Sequence, residues 1–315
     1  MTVRTDAIPH EAVYQAAYEV NRRAAIVVPK DGLVAYQRAL QRETKPLAKF
    51  ILAQILQNYH LAIAEGRAMC ADTGLPRYYV KIGNEARVQG GFVALERALR
   101  QAVADVTRAV PLRANRVHPL TRANPGTNAG VFAPDVEYSF EPDAHWIDIT
   151  AVHKGGLFNT DYRMLFPGDG IEGIKRFFLD NLAEFARRGL SCPPVTVGIG
   201  IGGNPDQALR LAQEAACLRV QGDRHPDPAV ARLEEELTEL GNRTGFGVMG
   251  VGGDVTVLDV HVEIAYTHTG GTPVGITQFC HAYRRATARL YPDGRIEYRD
   301  DPQWFTPYYR REGIG

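Results

Sequence analysis

The stretch that most limits the fold is "VTVGIGIGGNPDQALRLA", Val195 to Ala212. A β-branched run enters glycines and an Asn-Pro, and an amphipathic pattern follows. This reads as a buried strand, a tight turn and a helix with Pro205 near its first turn. A strand that hands directly to a helix calls for a sheet with helices laid on it. The same stretch spells G-x-G-x-x-G at Gly198, Gly200 and Gly203, in the context of a dinucleotide fingerprint. Asp223 stands at about the distance where such a fingerprint places its acidic residue. Against that reading, Pro205 opens the helix and Gly202 crowds the turn. An NAD-dependent oxidoreductase is therefore one alternative, and a scaffold turn the other.

The remaining pattern fills in the α/β picture. Helical spacing runs over 11–28, then onward from Asp31 as a candidate cap, with a break at Lys45-Pro46. It returns at 92–110, at 170–189 with Gly189 as C-cap, after Pro205, and over 227–245 with Gly241 as cap. Strand signals lie at 77–83, in "VEYSF" and "HWIDITAV" either side of "EPDAH", in "PPVTVGIGI", in "VTVLDVHVEIAYTH" and in "PVGITQF". "HAYRRATARL" reads as a short helix and "LYPDGRIEYRDD" as a hairpin on a Pro-Asp-Gly turn. The expectation is a mixed α/β fold: a helical N-terminal layer packed on a mixed β-sheet with surrounding helices, in one domain over 1–315.

Lys plus Arg and Asp plus Glu number 36 each, so the formal net charge is zero. No global field favours nucleic acid or an anionic membrane. No apolar run approaches a membrane span, and the first twenty residues lack the apolar core of a signal peptide. The chain is expected to be cytoplasmic, with no nucleic-acid or membrane partner.

The four cysteines, Cys70, Cys192, Cys217 and Cys280, are far apart and form no C-x-x-C pair. Zinc-finger spacing is excluded, and disulfides do not suit a cytosolic protein. Cys217 sits in "AQEAACLRV", within a helix among small apolar residues, as a core thiol would. The other three stand at element boundaries, in "CADTG", "SCPPV" and "TQFCHAYRR", where ligands on loop ends can converge. Polar residues gather nearby: Asp72 two residues after Cys70, Arg113 in "PLRANRVHP", Lys154-Gly155-Gly156 at a strand end, and His268 twelve residues before Cys280.

Taken in order, "CADTG", "RANPGTNAG", "PGDGIEGIKRFFLDNL", "SCPPVTVGIGIGG", "HVEIAYTH" and "CHAYRR" resemble the iron–sulfur-dependent hydro-lyases, the class I fumarases and L(+)-tartrate dehydratases. The resemblance covers about 10–290, the α subunit or N-terminal catalytic domain of that family, and leaves 291–315 as a C-terminal hairpin and tail. It implies a [4Fe–4S] cluster on Cys70, Cys192 and Cys280, with one iron not ligated by protein and open to act as a Lewis acid. The implied reaction is reversible hydration of a small hydroxy-dicarboxylic acid, fumarate/malate type first and tartrate type next. The resemblance makes Asp72 and His268 the catalytic candidates. It makes Arg113, Gly155 and Gly156 further substrate contacts, with Arg113 suited to bidentate pairing with a carboxylate and His268 beside Cys280.

Three positions depart from the family pattern. Ala71 stands where Gln is usual, Gly155-Gly156-Leu157-Phe158 replaces Gly-Gly-Gly-Ser, and Cys280-His281 replaces Cys-Trp. The first two fall where substrate would be read, so a divergent member acting on another hydroxy-acid, or one lacking activity, stays open. The family's second module supplies the catalytic base. The expectation is a separate β subunit carrying it, and a homodimer of α or αβ units.

Overall fold

The computed structural model describes residues 7–155 and 159–305. The chain divides into two compact units. The first comprises the described residues of Met1–Pro29, Tyr59–Gly155 and Arg284–Gly315, and the second those of Lys30–Asn58 and Gly156–Tyr283. The elements in chain order are helices α1 (His10–Ile26), α2 (Lys30–Arg42) and α3 (Pro46–Glu65), strand β1 (Leu75–Gly83), α4 (Gly91–Ala109), β2 (Asp135–Glu141), β3 (Ile147–Lys154) and β4 (Thr160–Leu165). There follow α5 (Gly170–Arg188), β5 (Val195–Gly202), α6 (Pro205–Leu218), α7 (Pro228–Arg243), β6 (Val257–Ala265), β7 (Thr272–Phe279), β8 (Arg285–Leu290) and β9 (Ile296–Arg299). The mixed α/β class holds, with one mixed sheet in each unit.

The first unit carries the sheet β2-β1-β3-β8-β9, with β1 and β2 parallel and the other pairs antiparallel. Its core joins Val13, Ala17 and Val20 of α1 and Leu95, Leu99 and Val103 of α4 to Tyr78, Val80, Ile149 and Ala288 of the sheet. "VEYSF" and "HWIDITAV" are strands as expected, yet they do not pair, because β1 lies between them. "RATARL" is strand rather than helix. It is an interior strand between β3 and β9, and ladder pairing there outweighs the helical preference of Ala, Arg and Leu.

The second unit carries the sheet β4-β7-β5-β6, with only β5 and β6 parallel. Strand alternation divides β5 cleanly. Val195, Val197 and Ile199 join Phe177, Phe178 and Leu182 of α5 and Leu237 of α7 in one core. The intervening Gly198 and Gly200 face α6. A Cβ on Gly198 would collide with the carbonyl of Ala212 and the amide of Ala216, and one on Gly200 with the carbonyl of Ala208. Gly275, the partner of Gly200 on β7, meets the same Ala208 carbonyl. The alanine face of α6 thus lies directly on a glycine patch of the sheet. Asn204 caps α6, accepting from the Gln207 amide at 3.0 Å, and Pro205 follows it. Gly202 and Gly203 have φ of +91° and +70°, which carries the chain from strand to helix.

Two helix boundaries differ from expectation. Asp31 sits inside the first turn of α2, where its carboxylate accepts from the Gln221 amide at 3.0 Å. Gly241 does not end α7, which continues to Arg243. A Cβ there would press on Val257, Phe178 and Leu182, so Gly241 serves packing rather than capping. Among the described residues no helix is long and apolar enough to cross a membrane.

Candidate active site

All four cysteines are thiols. Cys217 is buried, Cys70 and Cys280 are half-buried, and Cys192 is exposed. In the second unit, α5 ends at Gly189, whose φ of +62° and N–H bonds to the Phe185 and Ala186 carbonyls close the helix. Two prolines follow Cys192 and bias the chain to an extended course into β5. That segment is fixed from three sides. Tyr36 donates to the Pro194 carbonyl at 3.0 Å, Met249 N–H to the Pro193 carbonyl at 3.0 Å, and His281 N–H to the Cys192 carbonyl at 3.0 Å. The last bond ties the Cys192 loop to the segment that leaves β7 through Cys280. Ser191, next to Cys192, has a buried hydroxyl with no partner among the described residues.

His268 stands elsewhere. β5 and β6 run away from the Cys192 end, pairing Gly202 with Ala265, and β7 returns from Thr272 to Phe279. His268 lies on the exposed β6–β7 loop, where its Nδ1 accepts from the Gly270 amide at 3.0 Å. Eight residues of β7 separate that loop from Cys280, roughly 25 Å at about 3.3 Å per residue. The second unit therefore brings the Cys192 and Cys280 segments together and does not bring His268 to them.

In the first unit a polar cradle surrounds Asp72. One carboxylate oxygen, Oδ1, accepts from the Gly74 amide at 3.1 Å and from Asn115 Nδ2 at 2.8 Å, and its carbonyl accepts from Arg284 Nη1 at 2.6 Å. Thr73 Oγ1 accepts from the Arg113 amide at 3.1 Å, and Asn128 Nδ2 donates to the Arg113 carbonyl at 3.0 Å. The "CADTG" loop and the Arg113 loop are thus stitched side by side. Arg113 is exposed, and its guanidinium has no partner among the described residues. Gly74 is required where it is: a Cβ would lie 2.6 Å from the His153 carbonyl and 3.0 Å from Arg284 Nη2. Lys154 pairs in register with Leu75, which places Gly155 at the strand end beside this loop. Gly156, with Leu157 and Phe158, lies outside the described residues.

Below the cradle is a buried polar chain. His153 Nε2 meets Asn21 Oδ1 at 2.9 Å, Asn21 Nδ2 donates to the Ala17 carbonyl at 2.8 Å and to Tyr78, and Tyr78 donates to the Leu99 carbonyl at 3.2 Å. Because Asn21 uses its amide as donor, His153 carries its proton on Nε2. Burial, aided by the Arg284 charge, pushes the His153 pKa down to about 3, so the ring is neutral. Asn115, Asn128, Thr73 and Arg284 were not singled out from sequence. The only signal was position, Asn115 two residues after Arg113 and Arg284 within "CHAYRR". Among the described residues no group of three or more His, Cys, Asp or Glu side chains stands together as a metal site.

The family model for fumarate hydratase (Fumerase) matches residues 14–289, a span that holds all three boundary cysteines with Asp72, Arg113 and His268. The chain belongs to this family. By that membership it is a hydro-lyase. It is 43% identical over 281 residues to a putative L(+)-tartrate dehydratase subunit alpha of Methanocaldococcus jannaschii, covering 88% of this chain and 97% of that protein. It is 34% identical over 272 residues to the L(+)-tartrate dehydratase subunit alpha of Escherichia coli K12, covering 86% and 88% respectively. This chain's G-x-G-x-x-G stretch finds its physical account in the contact between β5 and α6.

Proposed function

We propose that this chain is the α subunit of a [4Fe–4S]-dependent hydro-lyase that dehydrates a small hydroxy-dicarboxylic acid, with Cys70, Cys192 and Cys280 as cluster ligands. The observation that carries the reading is the 3.0 Å bond from His281 N–H to the Cys192 carbonyl. It holds two thiol-bearing segments at one end of one sheet, with the buried Ser191 hydroxyl next to Cys192 unpartnered among the described residues. Accessible thiols on loop ends fit an iron–sulfur donor set, and a buried hydroxyl fits a donor to sulfur. Cys70, the third thiol of the proposed set, stands in the loop that also carries Asp72. When bound, the cluster supplies an iron with an open position, a Lewis acid for a substrate carboxylate and hydroxyl.

The chain's own residues hold the substrate. Arg113 offers an uncommitted guanidinium to a carboxylate. Asp72 has one oxygen engaged by Asn115 and Gly74, which fixes the carboxylate and turns its other oxygen, Oδ2, to a substrate hydroxyl. Gly155 lets the acid approach the backbone. Dehydration removes the proton α to a carboxylate and releases the hydroxyl from the next carbon as water. The base for that proton comes from a β subunit, in keeping with the word "subunit" in the relatives' names. Those names also favour the tartrate type over the fumarate type. The test is anaerobic copurification with the β-type subunit of the same organism, followed by turnover of L(+)-tartrate and L-malate. Turnover of tartrate above malate is expected, and a complex inert on both overturns the reading.

A further inference from the structure

We propose that the groove between the α2–α3 junction and the glycine-rich segment after α7 is the docking surface for an acidic, partly apolar segment of the β-type subunit. The partner's identity rests on the function proposed above, whereas the surface rests on the second unit alone. The groove has a volume of about 920 Å³, and Arg42, Lys45, Leu47, Arg243 and Val251 are among its lining residues.

Its charges are sorted unequally. Glu43 is 2% exposed and spends its carboxylate on backbone, accepting from the amides of Lys45 at 2.8 Å and Asp254 at 2.9 Å. Asp254 accepts from the Thr44 amide at 2.8 Å and from the Thr44 hydroxyl. These two carboxylates build the wall. Arg42, Lys45 and Arg243 have no side-chain hydrogen bond or ion pair among the described residues, although Lys45 favours the charged form of Asp254; Asp254 and Glu239 are the wall's other charges. A chain with zero net charge thus presents Arg42 and Arg243 uncommitted on one groove, with Lys45 beside Asp254 as a third cation.

The apolar part is equally unusual. Leu47, 57% exposed, and Val251, 45%, line the groove, and Phe50 (61%) and Met249 (38%) are exposed on the same two segments just outside it. Leu47 and Phe50 are three residues apart on α3 and share a face. The segment that carries Val251 reaches the proposed site, because Met249 N–H, two residues earlier, donates to the Pro193 carbonyl next to Cys192. A partner that must deliver a base near Cys192 would meet this face first. Apolar groups with a cationic rim match an acidic amphipathic segment. A second copy of this chain is disfavoured, since a two-fold contact would set these cations against their own counterparts.

The test measures binding of the purified β-type subunit of the same organism to this chain, with Arg42→Glu/Lys45→Glu/Arg243→Glu as the variant and Arg97→Glu/Arg232→Glu as the control. The expected result is an affinity at least about a hundredfold weaker in the triple variant, with binding kept in the control. Leu47→Asp, a single change at an exposed site, should weaken binding independently. Thermal midpoint and iron content of each variant report folding apart from docking. Unchanged affinity in the triple variant and in Leu47→Asp overturns the docking surface while leaving the proposed function standing. Loss of binding in a complex that turns over neither acid supports the surface and overturns the function. A wild-type homodimer that dissociates in the triple variant assigns the face to a second copy and overturns the proposal.

Discussion

The two ends of β5 carry different residues and different tasks. At its entry, Cys192 and two prolines leave carbonyls that are bonded by Tyr36, Met249 and His281 from three other segments. At its exit, Gly202 and Gly203 turn the chain into α6; Asn204 caps the helix through Gln207, and Gly203 N–H donates to the Tyr266 carbonyl at 3.2 Å. Long-range ties converge at the entry, where thiols sit. At the exit, where glycines sit, the ties close a strand-to-helix turn against the β6–β7 loop and hold no thiol. The glycine motif that resembles a cofactor loop thus belongs to the scaffold end, and the proposed chemistry to the end that the motif does not include.

That contrast breaks most sharply at the cysteines. Cys192→Ser or Cys280→Ser should abolish iron retention and lower turnover of the assembled enzyme about a thousandfold, the several kcal/mol of a Lewis acid. His268→Ala, at the other end, should leave iron content unchanged. Iron loss in the His268 variant would erase the distinction between the ends. At the exit end the cost is to stability. Gly198→Val drives a side chain into the α6 backbone and should destabilise the chain by about 3 kcal/mol in denaturant titration. A tolerated valine would mean that α6 does not rest on the glycine patch.

The first unit shows the same separation, with a buried scaffold beneath an open cradle. The neutral His153 ring, with a pKa near 3 against an ordinary 6.5, takes up a proton on unfolding in acid. Its contribution is level above pH 6.5, and stability falls as pH drops below that, by up to about 1.4 kcal/mol per pH unit. His153→Gln should flatten the stability profile between pH 6.5 and 5, and an unchanged slope there would place the titration elsewhere. The smallest effect is expected at the α6 cap, where Asn204→Ala should cost about 1 kcal/mol with iron retention intact.

These differences also explain what the sequence could yield. The strand–turn–helix at 195–212 is local, so periodicity and Pro205 located it. The boundary position of Cys192 and Cys280 was readable because caps and prolines mark element ends. β8 was misread because its neighbours β3 and β9 decide its state, and "RATARL" alone favours a helix. The cradle was hidden for a related reason: Asn115 reaches Asp72 across 43 residues and Arg284 reaches it across 212. His268 was placed near Cys280 by resemblance, and the length of β7 separates them. Gly198 and Gly200 looked like phosphate-approach glycines because close approach to a helix and to a ligand demand the same missing Cβ.

The central claim is that the three boundary thiols serve iron–sulfur chemistry and the glycines serve packing. Iron and acid-labile sulfide in protein purified without oxygen test it directly, with the Cys192→Ser variant alongside. The account predicts close to four iron and four sulfide per chain in the wild type, the stoichiometry of a [4Fe–4S] cluster, and their loss in the variant. Wild-type protein that binds neither iron nor sulfide after anaerobic reconstitution would contradict it.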